Sequence, residues 1–174
     1  MPIPLHAAFV PSALQMLGTC DHLIAKAKAW CGETGCTESE LVGCRIHDEM
    51  FPLAYQLKSV AVHTAGAIEG VRAGVFRPDV TPPPEDFAGL SAQIAAARET
   101  LTALDEAEME GWTGQPMRFE FRDYRMDFSA EDFLLSFSQP NFYFHAATAY
   151  DILRMKGVPV GKRDFMGAVR VQAA

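Results

Sequence analysis

Apolar residues recur at intervals of three and four through most of this chain. Phe9, Ala13, Met16, Cys20, Leu23, Ala27 and Trp30 fall on one face of a helix over about residues 4–30. Gly32 and Gly35 stop it. Thr37 with Glu40 reads as a capping box opening a short helix through Leu41 and Cys44. Asp48 is a candidate cap for a second long helix over about residues 49–74, which puts Pro52 in its first turn. Leu53, Leu57, Val60, Thr64, Ala67 and Val71 form its seam. Residues 78–86, PDVTPPPED, make a rigid connection. Phe87, Leu90, Ile94, Ala97, Leu101 and Leu104 then mark a third helix over about residues 85–108.

The period changes after Gly111 and Gly114. Met117, Phe119 and Phe121 alternate with charged residues, as do Tyr124, Met126 and Phe128, which predicts a β-hairpin at 117–128 turning at Arg122-Asp123. A lone hairpin is marginal in water, so its aromatic face should pack on the helices. Ser129 with Asp132 caps a fourth helix over about residues 130–156, with Gly157 as its stop. The tail GVPVGKRDFMG reads as a docked loop. The expected fold is therefore all-α, a four-helix bundle in one domain over 1–174, with a short hairpin between helices three and four.

Composition narrows the function classes. Lys+Arg number 15 and Asp+Glu 22, a formal charge of −7. An acidic chain without a basic block is a poor nucleic-acid binder and has no polybasic hold on a membrane surface. No apolar run approaches the length of a bilayer span, and no secretory pattern opens the chain, so the expected location is cytoplasmic. The four cysteines, Cys20, Cys31, Cys36 and Cys44, are then expected as thiols, and the Cys31–Cys36 spacing does not suit a zinc knuckle.

The candidate chemistry lies on inward faces. Gln56 and His63, seven apart, share a side of helix two. Asn141 and His145, four apart, share a side of helix four, among Phe137, Phe144 and Thr148. Two facing helices that each offer an imidazole and a carboxamide can build a metal site, for zinc, nickel, copper or iron(II). The same residues can equally bond one another as buried polar groups with no metal. His6, His22 and His47 lie near an end, beside Asp21 and in a turn. No nucleophile elbow, phosphate loop, dinucleotide fingerprint or HExxH is present.

The segments DEMFPLAYQLKSVAVH (48–63) and QPNFYFHAATAYDILRMKGVPVGKRDF (139–165) resemble a bacterial domain-of-unknown-function family of the DinB-like superfamily. The resemblance implies a four-helix bundle, commonly a homodimer. Metal-binding members use one His from the second helix and two, four apart, from the last. His63 and His145 match two of those positions, and Asn141 stands at the third. The resemblance implies a divalent ion (zinc, nickel or iron) on His63, His145 and Asn141. Gln56 and Asp48 would then orient the ligands, and Thr148, Phe137 and Phe144 would line the pocket. Characterised relatives act with small bacterial thiols, so a thiol or other small molecule is the expected ligand. The other reading is a non-catalytic small-molecule or dimeric interaction protein with a degenerate metal site.

Overall fold

The computed structural model describes residues 3–172, and most of them are helical. Helix α1 (Leu5–Thr34) buries Phe9, Ala13, Leu17, Cys20, Leu23 and Ala27 completely. It ends where Gly35 takes φ 77°, a left-handed cap that a side chain would strain. In α2 (Glu38–Val42) both halves of the capping box form between Thr37 and Glu40. Helix α5 (Phe87–Thr102) buries Phe87, Leu90, Ile94, Ala97 and Leu101.

The two remaining long helices are each interrupted by a wide π turn. The first runs as α3 (Leu53–Ala61), a π turn (Val62–Gly66) and α4 (Ala67–Ala73). The Thr64 hydroxyl competes for backbone acceptors here, reaching the carbonyls of Val60 at 2.7 Å and Ala61 at 3.2 Å. The second runs as α7 (Ala130–Asp132), a π turn (Phe133–Ser138) and α8 (Gln139–Met155). Pro140 follows that turn, and the wider backbone relieves its conflict with the preceding carbonyls. Helix α3 packs on α8 and α5, and α1 packs on α5 and α8, around one apolar core.

Several boundaries differ from the sequence reading. The second long helix starts at Leu53, with Pro52 extended before it, and Asp48 lies in an exposed turn rather than at a cap. Proline disfavours helical backbone in the residue before it, so the helix cannot begin at 49. The third helix ends at Thr102. Asp105 accepts the Glu108 N–H and opens a separate short helix, α6 (Glu106–Glu110). The tail contains a helix, α9 (Lys162–Met166), where a loop was expected. It is tied to α1 by Thr19, whose hydroxyl donates to the Phe165 carbonyl, and by a 2.7 Å His22–Asp164 contact.

The hairpin forms as β2 (Pro116–Phe121) and β3 (Tyr124–Ser129), in the register Met117↔Phe128, Phe119↔Met126, Phe121↔Tyr124. It is not alone. A two-residue strand, β1 (Val75–Phe76), follows α4 directly and pairs parallel to β2, with Phe76 beside Phe119. This third strand fastens the end of the His63 helix to the hairpin. Among the described residues, no helix is long and apolar enough to cross a membrane.

Candidate metal and ligand site

His63 comes from the first π turn and His145 from α8. Their ring centroids lie 5.8 Å apart and their planes differ by 16°. His145 Nδ1 is 2.7 Å from Gln56 Oε1, and Gln56 Nε2 donates to the Phe51 carbonyl at 2.8 Å. With the amide nitrogen committed as donor, the Gln56 oxygen must accept, so Nδ1 of His145 carries the proton. The network thus assigns the lone pair to Nε2. Gln56 is buried, and holding an imidazole by its outer nitrogen is how proteins orient metal-ligating histidines. His63 Nδ1 is buried with no hydrogen-bond partner. Such an atom costs about 1–3 kcal/mol unless something satisfies it.

Burial, and then the neighbouring His145, push the His63 pKa down to about 3, and burial pushes His145 down to about 4. Both imidazoles are therefore neutral near pH 7, the form that ligates metals. Their surroundings are aromatic. His63 faces Phe76 at 5.4 Å and Phe137 at 5.9 Å, and His145 faces Phe144 at 5.3 Å and Tyr55 at 6.3 Å.

The other candidate residues divide. Phe137 stands beside His63 and Phe144 against His145. Asn141 Nδ2 donates to the Phe137 carbonyl at 2.7 Å, so its amide nitrogen is spent on its own helix and its oxygen is the end left for a ligand. No direct hydrogen bond joins it to either imidazole. The Thr148 hydroxyl likewise turns back to the Phe144 carbonyl. Asp48 is exposed, and its carbonyl accepts from Arg45. The sequence reading missed Tyr55, Phe51 and Phe76. Phe76 reaches His63 through β1, a strand too short to leave a periodic signal.

Among the described residues, no three His, Cys, Asp or Glu side chains converge. The donor set is two imidazoles and one carboxamide. A ring nitrogen about 2.1 Å from an ion puts the ring centroid about 3.2 Å from it, so two rings sharing an ion lie within about 6.4 Å of each other. The observed 5.8 Å satisfies that limit. The two imidazoles fit a shared borderline divalent ion, with the remaining coordination positions to be filled by other donors.

The family model for a domain of unknown function, DUF1993, matches residues 5–166. The chain belongs to the DUF1993 family. Among solved structures, this DUF1993 protein is similar to a crystal structure of a DinB family member protein from Shewanella denitrificans. The two are 25% identical with a TM-score of 0.77, over 98% of this chain and 96% of that chain. The comparison with curated proteins finds no match. The likeness agrees with the DinB-like resemblance of residues 48–63 and 139–165, and a shared fold carries no reaction with it.

Proposed function

We propose that this DUF1993 protein is a DinB-like four-helix-bundle protein that binds a divalent ion through His63, His145 and the Asn141 oxygen. The open positions would take a small molecule or thiol. The observation that carries this reading is the pair of neutral imidazoles within reach of one ion, one of them held by the buried Gln56 carboxamide. Zinc, nickel and iron(II) suit nitrogen-rich donor sets. When bound, such an ion lowers the pKa of a water or thiol ligand and supplies a nucleophile at neutral pH. In this reading Gln56 fixes the His145 tautomer, and the bond from the Asn141 amide nitrogen to the Phe137 carbonyl leaves the Asn141 oxygen as the end free to act as a ligand. Thiol transfer as the reaction rests on family analogy alone.

A second reading, a metal-free ligand pocket, draws on the same donor set. It has one imidazole fewer than a site built from three histidines, and no carboxylate or thiolate in its place. Cobalt(II) titration of chelator-stripped protein, read by visible absorption and calorimetry, separates the two. The metal reading expects one ion per chain, lost in His63→Ala and His145→Ala. It expects affinity to fall about 10–100-fold in Gln56→Leu. No uptake by the folded parent protein leaves the second reading standing.

A further inference from the structure

We propose that Cys31 and Cys36 are a redox-active dithiol pair, closed to a reversible disulfide by small-molecule disulfides that enter the cavity at the joint between α1 and α2. The proposal does not depend on how the His63–His145 site is read.

Three of the four cysteines, Cys31, Cys36 and Cys44, gather at this joint, and all four are free thiols. A cavity of about 670 Å³ opens there, bordered by Trp30, Cys36, Glu40, Cys44 and Lys156. Cys36 and Cys44 are half-buried, while Cys31 is 8% exposed. The helix cap sets the pairing. The Gly35 N–H donates to the Cys31 carbonyl at 3.0 Å, with Gly35 at φ 77°. A left-handed cap of this kind turns the chain so that the residue after the glycine packs back on the last turn, where position 31 lies. The Cys36 side chain accordingly packs on the core that includes Cys31, and it meets the Cys31 side chain directly.

The thiols at the joint differ in access. Cys36 borders the cavity, so an incoming disulfide reaches it first. Cys31 lies behind it, and burial, followed by the neighbouring Cys36, pushes the Cys31 pKa up to about 11. Such a thiol is a poor attacker on free reagents, but it stands beside any sulfur already attached to Cys36. Cys44 is the competing partner. Its thiol donates to the Glu40 carbonyl at 2.9 Å, within its own turn, and among the described residues no hydrogen bond joins it to Cys36.

The exchange has two steps. Cys36 gives up its proton and its sulfur attacks one sulfur of the incoming disulfide. A Cys36 Sγ–S bond forms, the reagent's S–S bond breaks, and one thiolate leaves and takes up a proton. Cys31 then loses its proton and attacks Cys36 Sγ, and the second reagent thiol leaves. The two cysteines are oxidised by two electrons, and the reagent disulfide is reduced to two thiols.

The test treats the reduced full chain with glutathione disulfide in the presence of a chelator. Remaining thiols are alkylated in denaturant, disulfides are then reduced, and the released thiols take a second label. Fragmentation mass spectrometry assigns each label. The expected result is the second label on Cys31 and Cys36 together and the first on Cys20 and Cys44, with a transient glutathione adduct on Cys36. Trp30 fluorescence should shift as the bond closes and return when dithiothreitol opens it. Cys31→Ala should stop at the Cys36 adduct, and Cys36→Ala should slow all reaction about tenfold or more. Cys44→Ala should close at the parent rate. Four unreacted thiols in the treated parent protein, a lasting glutathione adduct there, a Cys36–Cys44 bond, or closure lost in Cys44→Ala overturns the proposal. The mapping of the parent protein decides the matter even if a variant fails to fold.

Discussion

Gly70 and Gly66 are four residues apart on the His63 helix, yet alanine should act oppositely at the two. A Cβ on Gly70 would lie 2.9 Å from Phe76 Cβ, 3.0 Å from Cδ2 and 3.2 Å from its Cα. The Cα belongs to β1, which is paired to β2, so no rotamer change relieves the contact. Overpacking of this kind costs about 1–3 kcal/mol. Replacing a helical glycine returns up to about 1 kcal/mol, and less near a helix end. The net expectation is a loss of about 1–2 kcal/mol, and at about 2–4 °C per kcal/mol for a chain this size the midpoint falls by about 2–8 °C. At Gly66 the nearest atoms to an added Cβ are 3.8 and 3.9 Å away, ordinary contacts. Gly66→Ala should therefore leave the midpoint unchanged or raise it by up to about 4 °C. Thermal and urea unfolding of both variants decide the matter. The His63 resonances should also move in Gly70→Ala, because Phe76 sits 5.4 Å from that ring. A Gly70→Ala protein as stable as its parent would refute the claim that β1 is wedged against α4.

Acid should destabilise the metal-free protein through the two imidazoles. Folded, they titrate at about 3 and about 4, and unfolded they titrate near 6.5, so above that pH both states are neutral and nothing is lost. As pH falls from about 6.5 toward 4, the unfolded chain takes up protons first, and stability drops by at most about 1.4 kcal/mol per pH unit per histidine. Urea midpoints measured across that window should flatten in His63→Gln, and an unchanged slope would count against the burial of that ring. Gly167→Ala should loosen the tail, since a Cβ there would lie 2.6 Å from Thr19 Oγ1 and φ is +59°. Faster amide exchange confined to α9 and residues after it is the expected signature, and unaltered protection would contradict the docking geometry.

The local parts of this fold were legible. The buried row from Phe9 to Ala27, the Thr37–Glu40 box, the Ser129 cap and the alternation on either side of Arg122 all report their own neighbourhoods. Competition between neighbouring signals hid the rest. Pro52 overruled Asp48, and Asp105 began a new helix inside what read as one continuous seam. Strand β1 was invisible because two residues define no period and their partner lies beyond residue 115. In the site, the inward positions of Gln56, His63 and His145 could be read from spacing. The Gln56–His145 bond, between residues 89 apart, and the turning of Asn141 toward the Phe137 carbonyl could not. Nor could the π turns, because a regular count of 100° per residue assumes the very geometry they break.

The π turn at Val62–Gly66 makes the site sensitive to chain length more than to chemistry. It stores one residue beyond what an ordinary helix of that span would hold. Removing one residue would let the segment relax into regular helix of the same span, so α3 and α4 would stay in phase and Gln56, Ala67, Ile68 and Val71 would keep their partners. What such a deletion takes away is the wide turn itself, and with it the direction in which His63 leaves the helix. A homologue one residue shorter there keeps the bundle's packing and loses only the local placement of that imidazole.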